Sequence, residues 1–217
     1  MQLFVDTWQF FLANQADFWD KVLAHLALSG VALLIGVIVA IPLGIATAHQ
    51  RTASGVVSNG VGAVRAIPSL ALMAVMLPVI GIGFKPALIA LTILAIPPIL
   101  INTQAGILSI NPAIREAAQG MGMGRWDVVR DVELPLAAPV IVAGVRTATV
   151  EVLASATLGA IIGAGGLGEY VFAGLSLGPA YIYIMLVGAI TVALMAFVAE
   201  YGLNRLEALF RRNKGQT

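Results

Sequence analysis

Long apolar segments separated by one charged stretch constrain the fold of this 217-residue chain more than any other feature. Hydrophobic residues make up 59% of the chain and charged residues only 11%, whereas soluble domains carry about 25% charged residues. A helix needs roughly 20 apolar residues to cross a bilayer core of ~30 Å, and several segments here have that length. The sequence therefore predicts an all-α, polytopic membrane protein.

Five apolar segments are long enough to cross a membrane, and they predict about five transmembrane helices. The segments cover residues 22–48, 56–80, 86–110, 136–162 and 181–203. Pro97 and Pro98 predict a kink or a break in the third segment, because proline lacks an N–H group and its ring clashes with the preceding turn.

Basic residues predict how the chain is oriented in the membrane. With the N-terminus outside, eight basic residues fall in the inner segments and only two, Lys21 and Lys85, in the outer ones. The eight are Arg51, Arg115, Arg125, Arg130, Arg205, Arg211, Arg212 and Lys214. Because Lys and Arg concentrate in cytoplasmic loops, we predict that the N-terminus lies outside and the C-terminus inside. The charged stretch 111–135 is then cytoplasmic.

These features divide the chain into three regions. Residues 1–21 contain Trp8 and Trp19, are too short and too acidic to span, and are predicted to be an external interfacial segment forming an amphipathic helix. A frayed terminus is the alternative. Residues 22–210 form the transmembrane domain, and residues 211–217 form a cytoplasmic basic tail that anchors to lipid headgroups.

The stretch 111–135 carries seven of the chain's 12 basic and 11 acidic residues, so it must meet water or another protein. Asn111 followed by Pro112 predicts the start of a helix. Apolar residues then recur at helical spacing and form one face, namely Ile114, Ala117, Ala118 and Met121.

Glycines predict a sharp turn after this helix, at Gly120, Gly122 and Gly124. A second short helix follows, and Leu134 before a proline predicts a bend into the next span. Two short helices joined by glycines form an elbow, a name we keep for residues 111–135. The elbow is either a docking site for another protein or a solvated loop lying on lipid headgroups.

One motif in the elbow carries a family resemblance. Glu116-Ala117-Ala118 is followed at fixed spacing by Gly122, Val132 and Leu134-Pro135. This pattern resembles the EAA signature of binding-protein-dependent ABC importer permeases, which have the MetI-like fold, with Val132 in place of the usual isoleucine. The resemblance implies that the elbow is a coupling helix seated on a separate ATPase subunit. The implied ATPase-coupling residues are Arg115, Glu116, Ala117, Ala118, Gly122, Gly124, Arg125, Leu134 and Pro135.

The resemblance also implies the partners and the location. They are ABC ATPase subunits at the elbow, a second permease (a homodimer or a sister subunit), an extracytoplasmic solute-binding protein and the lipid bilayer of a bacterial or archaeal plasma membrane. The sequence contains no G-x-x-x-x-G-K-[ST] phosphate loop, so we expect ATP and Mg to bind the partner ATPase, with no cofactor in this chain. The net charge of +1 predicts no attraction to nucleic acid.

Catalysis by this chain is not predicted. It has no cysteine, and its two histidines, His25 and His49, lie at the edges of the first span. Neither a nucleophile–base pair nor a metal cluster is present, so we predict no catalytic site, no metal site and no enzyme activity. A secondary transporter, the remote alternative, usually shows paired repeats and a larger or even number of spans.

Further stretches resemble the osmoprotectant branch of the family, which imports glycine betaine, carnitine, choline and similar quaternary ammonium compounds. These stretches are residues 41–45, 65–72, 81–83, 122–126, 144–147 and 162–168. Methionine permeases share the segment from Arg65 to Pro68 and the glycine-rich run, so a methionine or other amino-acid importer is the alternative. The Pro-Ser-Leu-Ala-Leu and Gly-Met-Gly-Arg-Trp stretches favour osmoprotectants.

Three ionisable residues, Arg65, Arg146 and Glu151, fall within the predicted spans, where each costs several kcal/mol unless paired or hydrated. Arg146 and Glu151 are not on one helix face, and Arg65 with Glu151 is a candidate interhelical pair. Together with Pro68 they are predicted to form an intramembrane gate or to lock the bundle. Lining the path of the solute is the alternative.

Overall fold

The computed structural model describes residues 2–50, 55 and 60–212. Within them every regular element is helical, so the all-α prediction is confirmed. The helices are α1 (Gln2–Ala13), α2 (Gln15–Ala48), α3 (Ser69–Ile80), α4 (Phe84–Leu108), α5 (Pro112–Gly120), α6 (Arg125–Ile162), α7 (Gly168–Leu177) and α8 (Ile182–Arg212). Helix α6 contains a π-helical turn at Val128–Glu133 and ends in a 3₁₀ turn at Thr157–Ile162.

Four helices are long and apolar enough to cross a membrane, namely Gln15–Ala48, Phe84–Leu108, Arg125–Ile162 and Pro179–Phe210. They correspond to the first, third, fourth and fifth predicted segments. Helix α2 already begins at Gln15, so the last part of the predicted external segment continues into the first span. The placement of α1 on the outer surface stays a prediction.

The second predicted segment, 56–80, is not one continuous helix. Residues 56–59 lie outside the described residues. Residues 60–64 are helical, the helix is interrupted at 65–68, and α3 starts at Ser69 after Pro68. Proline lacks the N–H of a helical bond and disfavours helical geometry in the residue before it. The 12-residue α3 is about 18 Å long, too short to span alone, and the number and orientation of the spans stay predictions.

Helix α4 lies at the centre of the bundle, between α2 and α6. It runs without interruption through Pro97 and Pro98. Of the predicted kink or break, the break is therefore wrong, and the kink stays a prediction. Small residues allow its neighbours to approach closely: a Cβ placed on Gly44 of α2 or Gly144 of α6 would lie 2.7 Å from Thr103 Cβ and 2.8 Å from the carbonyl oxygen of Pro98, respectively. This packing fixes α2 and α6, which carry the polar groups described next.

Candidate functional site

Helix α5 begins as its sequence predicts. The Asn111 side-chain oxygen accepts a hydrogen bond from the Ala113 amide at 3.0 Å, and Pro112 occupies the first turn. A side-chain cap of this kind satisfies one of the amides that a helix start leaves unpaired. The predicted first helix of the elbow is confirmed.

Helix α5 ends because Gly122 adopts a positive φ of 90°. The amides of Met121, Gly122 and Met123 then bond back to the carbonyls of Ala117, Gln119 and Ala118 at 3.0, 2.9 and 3.2 Å. Glycine adopts this backbone conformation without the steric cost that a Cβ brings. The turn therefore depends on glycine through the backbone angle, since no atom of the described residues lies within 4 Å of the place where a Cβ would be.

The second half of the elbow differs from its prediction. We expected a short helix and a bend at Leu134, yet α6 continues from Arg125 into the span. The Leu134 amide bonds to the Val129 carbonyl, five residues back. A widened π turn thus precedes Pro135, whose ring would clash with the carbonyl four residues earlier in a regular helix. The continuous helix joins the elbow directly to the membrane.

A buried cluster of charges joins the elbow to its neighbours. The Glu133 side chain is 1% exposed; its Oε1 lies 2.6 Å from Arg115 Nε, and its Oε2 lies 3.0 Å from His49 Nε2 at the end of α2. Arg115 also donates from Nη2 to the Ile107 carbonyl of α4 at 2.5 Å. Because a buried carboxylate is costly unless paired, these contacts hold α2, α4, α5 and α6 together. We call Glu133, Arg115 and His49 the ion cluster.

His49 is placed between two acceptors. Its Nδ1 lies 2.8 Å from the Ile45 carbonyl and its Nε2 faces the Glu133 carboxylate. A neutral imidazole has one N–H and satisfies one of these acceptors, whereas both ring nitrogens donate in the cation. A cavity of about 410 Å³ opens beside the cluster, and its lining includes Arg125 and Gln119.

Most of the apolar face of α5 is exposed in the part of the chain that the structure describes. Ala118 is buried at 2% exposure, whereas Met121 is 77% exposed and Ile114 and Trp126 are exposed as well. Glu116, Ala117, Gly124 and Arg125 are also exposed. Exposed apolar side chains bordered by charged residues are typical of an interaction surface.

The predicted coupling residues do not all share that surface. Leu134 and Pro135 instead line an apolar groove with Ile41 of α2 and Phe210 of α8. They belong to the part of α6 that packs towards the span. The exposed face of α5 and the base of the elbow are therefore separate surfaces.

The three ionisable residues that the sequence placed within predicted spans, Arg65, Arg146 and Glu151, form two separate groups of contacts. Arg65 Nη2 donates to Glu151 Oε1 at 2.9 Å, which confirms the hypothesised pair. Arg146 instead faces α8, where it lies 3.5 Å from Glu200 Oε1, 3.4 Å from Glu207 Oε2 and 3.1 Å from the Asn204 side-chain oxygen. Arg146 and Glu151 have different partners, as expected from their positions around the helix.

A second polar cluster lies at the far end of α6, where α2 meets α7. Lys21 pairs with Asp17 at 3.1 Å and Glu169 at 2.5 Å, and the Tyr170 hydroxyl donates to Asp17 at 2.5 Å. Burial of the Tyr170 ring and its hydrogen bond to Asp17 raise the pKa of the hydroxyl above its ordinary value. The hydroxyl therefore stays a donor at neutral pH.

A profile of the family described as "Binding-protein-dependent transport system inner membrane component" matches residues 36–212. The chain belongs to this family. It is a multi-pass inner-membrane permease component of an ABC importer, and the family resemblance drawn from the EAA motif is confirmed.

Three permeases of similar sequence align with nearly the whole length of this chain. The glycine betaine/carnitine/choline transport system permease protein OpuCB of Bacillus subtilis is 41% identical over 89% of this chain and 88% of its own. The choline transport system permease protein OpuBB of the same organism is 41% identical over 90% and 89%. The osmoprotectant import permease protein OsmW of Salmonella typhimurium is 34% identical over 94% and 97%.

The permease also shares its fold with a solved structure. An inward-facing conformation of the MetNI methionine ABC transporter matches with a TM-score of 0.77 and 24% identity, covering 89% of this chain and 95% of that one. At this identity the match concerns the fold alone. It confirms the MetI-like architecture.

Sequence reasoning missed two members of the permease's ion cluster, Glu133 and His49. The available signal for Glu133 was an acidic residue between apolar Val132 and Leu134, next to a span. Its partner was not visible, because His49 lies 84 residues earlier in the chain. Arg115 was predicted, although as a contact to the ATPase rather than within the chain.

Proposed function

We propose that this chain is the permease of an ABC importer that moves osmoprotectants such as glycine betaine, carnitine, choline or similar quaternary ammonium compounds. Support comes from the names of three similar proteins, which are 34–41% identical over most of the chain. The methionine alternative is supported only by a likeness of fold at 24% identity. The substrate class of the sequence relatives therefore carries more weight.

Hydrolysis of ATP is assigned to a separate subunit that also binds Mg. The elbow is the docking surface for this ATPase, which places the elbow in the cytoplasm. A solute-binding protein delivers the solute at the opposite side of the membrane. A second permease, either an identical copy or a sister subunit, completes the passage. The described part of the chain has four helices long and apolar enough to cross a membrane, and these are too few to enclose a passage.

The observation that carries this proposal is the exposed apolar face of α5 above the buried ion cluster. Ile114 and Met121 on this face are exposed and can contact a partner, while Arg115 inside the elbow contacts Glu133 of α6. A force applied to α5 therefore reaches α6 through the Arg115–Glu133 pair and α2 through His49. Movement of the ATPase is transmitted to the spans in this way.

Coupling is tested by replacing Gly122 or Glu116. The complete importer is reconstituted in proteoliposomes, and ATP hydrolysis and solute uptake are measured on the same preparation. We expect Gly122→Asp and Glu116→Ala to lower the uptake per ATP hydrolysed at least about tenfold, a free-energy change of about 1.4 kcal/mol.

The matched control is Gly120→Ala, at the end of α5. Among the residues that the structure describes, no atom lies within 4 Å of the added Cβ, and alanine is favoured in a helix, so coupling is expected to stay normal. Normal uptake by the Gly122→Asp importer would count against the docking role of the elbow.

The substrate class is tested by uptake of radiolabelled glycine betaine, choline and methionine. We expect uptake of the first two in a deletion strain that carries the whole operon. Uptake of methionine alone would reject the osmoprotectant assignment in favour of its alternative. The isolated chain is expected neither to bind nor to hydrolyse ATP.

A further inference from the structure

The pair formed by Arg65 and Glu151 lies at an unusual place in the bundle. The side chains are 44% and 32% exposed, and Glu151 is near the middle of the span predicted over residues 136–162. Arg65 belongs to the interruption between the helical residues 60–64 and α3. Its neighbours Ala66, Ile67 and Pro68 are exposed as well.

Lipid is a poor environment for this surface. A charged side chain near the bilayer centre is costly, and irregular backbone at membrane depth occurs only where protein buries it or where it lines a water-filled cavity. The surface therefore faces either the passage or a second permease. Ionisable residues inside a membrane often mark a solute pathway, and interrupted helices often form solute sites in transporters.

Arg146 provides a comparison, because it forms ionic contacts between two packed helices of the same chain. It reaches Glu200, Asn204 and Glu207 on α8, and its own side chain is 26% exposed. Arg65 is more exposed at 44%, and it forms an ion pair with the partly exposed Glu151. The Arg65 guanidinium is thus the more accessible of the two arginines.

We propose that Arg65 and Glu151 form a transient binding site for zwitterionic solutes that carry a quaternary ammonium and a carboxylate. The solute's carboxylate takes the place of Glu151 on the Arg65 guanidinium, and its ammonium takes the place of Arg65 beside Glu151. This inference rests on the proposed function, because it assumes that such solutes pass through the permease.

The chemistry of the two groups matches such a solute. A guanidinium binds a carboxylate through two parallel hydrogen bonds. A quaternary ammonium has no N–H donor and is held by charge or by aromatic faces, so a carboxylate suits it. In the empty permease the two side chains neutralise each other, which avoids leaving an unpaired charge inside the membrane.

The proposal predicts a difference between substrates. Glycine betaine and carnitine carry a carboxylate and use both residues, whereas choline carries a hydroxyl and uses Glu151 alone. Arg65 is therefore the residue that distinguishes carboxylated from uncarboxylated solutes, and its loss affects the zwitterions selectively.

The experiment compares initial uptake of glycine betaine and of choline by the complete importer in proteoliposomes. We expect Arg65→Gln to lower uptake of glycine betaine about tenfold, or about 1.4 kcal/mol, and to leave choline uptake within about twofold. Glu151→Gln is expected to lower both. Arg146→Gln is the matched control and is expected to keep the ratio of the two rates unchanged.

Several outcomes would overturn the inference. One is an equal loss of both solutes in the Arg65→Gln importer, which identifies the pair as a lock within the bundle or a contact with the second permease. Another is normal uptake of glycine betaine by the Arg65→Gln importer, which shows that the guanidinium does not bind the solute's carboxylate. If Arg65→Gln prevents assembly, Arg65→Lys decides, because it keeps the charge and removes the planar fork, and the same selective loss is expected.

The two proposals fail in different ways. An unaltered importer that takes up neither solute overturns the proposed function. Normal uptake by the unaltered importer, with no selective effect of Arg65, overturns only the binding site.

Discussion

At its elbow end, α6 reaches neighbouring helices through the charged side chains of the ion cluster. At its other end, backbone atoms of α6 lie in direct contact with neighbouring segments, beside the separate Lys21 cluster that joins α2 to α7. Glu133 lies within 3.0 Å of both Arg115 Nε and His49 Nε2 at the elbow. At the far end, the Gly83 amide donates to the Ile162 carbonyl at 2.7 Å. A Cβ placed on Gly168 would lie only 1.9 Å from the Thr157 carbonyl oxygen.

This difference indicates which end can move. Long charged side chains keep a contact while helices shift, since they have several rotatable bonds. Close backbone packing fits one arrangement and transmits strain. We therefore expect the elbow end to adjust during transport, while the end at α7 behaves as a rigid unit.

The largest effect is expected for Glu133→Ala. Removing the carboxylate leaves Arg115 without its partner inside the ion cluster, and breaking a buried ion pair in this way costs about 3–5 kcal/mol. Unfolding in detergent should occur at a lower temperature, and α5 should lose protection from hydrogen exchange while α7 keeps it. The neighbouring Asp131→Asn is the control, because Asp131 is exposed. Equal loss of protection at both ends would contradict the comparison.

Gly168→Ala tests the other end. The added methyl group meets backbone rather than a movable side chain, so α7 must shift, at a cost of about 3 kcal/mol, the upper part of the usual range for overpacking. Hydrogen exchange should now rise in α7 and not in α5. The control is Gly30→Ala, where no atom in the described part of the chain lies within 4 Å of the added Cβ. An unchanged melting temperature for Gly168→Ala would show that this end is not rigid.

Gly122→Ala tests how much the glycine turn of the elbow contributes to stability relative to the ion cluster. The added Cβ has free space but strains the positive φ, which costs roughly 1–2 kcal/mol for a residue other than glycine. We expect a small fall in melting temperature together with impaired coupling. If stability falls as far as in Glu133→Ala, the turn contributes more to the fold than the ion cluster does.

His49→Ala is expected to have the smallest effect. The His49 side chain is 42% exposed, so its contact with Glu133 is partly screened by water and is worth about 1 kcal/mol or less. Combined with Glu133→Ala, it should add almost nothing, because the shared contact is already lost. A double-mutant cycle on melting temperatures measures this, and additive effects would show that His49 acts independently of Glu133.

Local signals in the sequence predicted much of this architecture. Apolar runs identified the four helices that are long enough to cross a membrane, Asn111 predicted the start of α5, and Gly122 predicted its end. The cost of charge in a membrane was enough to suggest the pairing of Arg65 with Glu151, which the structure shows at 2.9 Å. Each of these inferences depends on residue type or on spacing of a few positions.

The remaining features depend on packing between distant segments. The interruption at 65–68 is hidden in an apolar run, and the π turn before Pro135 cannot be told from a bend by composition. His49 and Glu133 are 84 positions apart, so their contact requires the fold. Ala118 is buried and Met121 is exposed, although both belong to the same predicted apolar face. This difference in exposure also arises only when the helices pack together.

The unbroken course of α6 has a geometric consequence for transport. Its 38 residues from Arg125 to Ile162 extend about 57 Å at 1.5 Å per residue, so a tilt of about 10° pivoting at one end carries the other through an arc of roughly 10 Å. A displacement of that size exceeds the width of a small organic solute. A modest rotation of one stiff rod is therefore enough to change which side of the membrane the passage opens to.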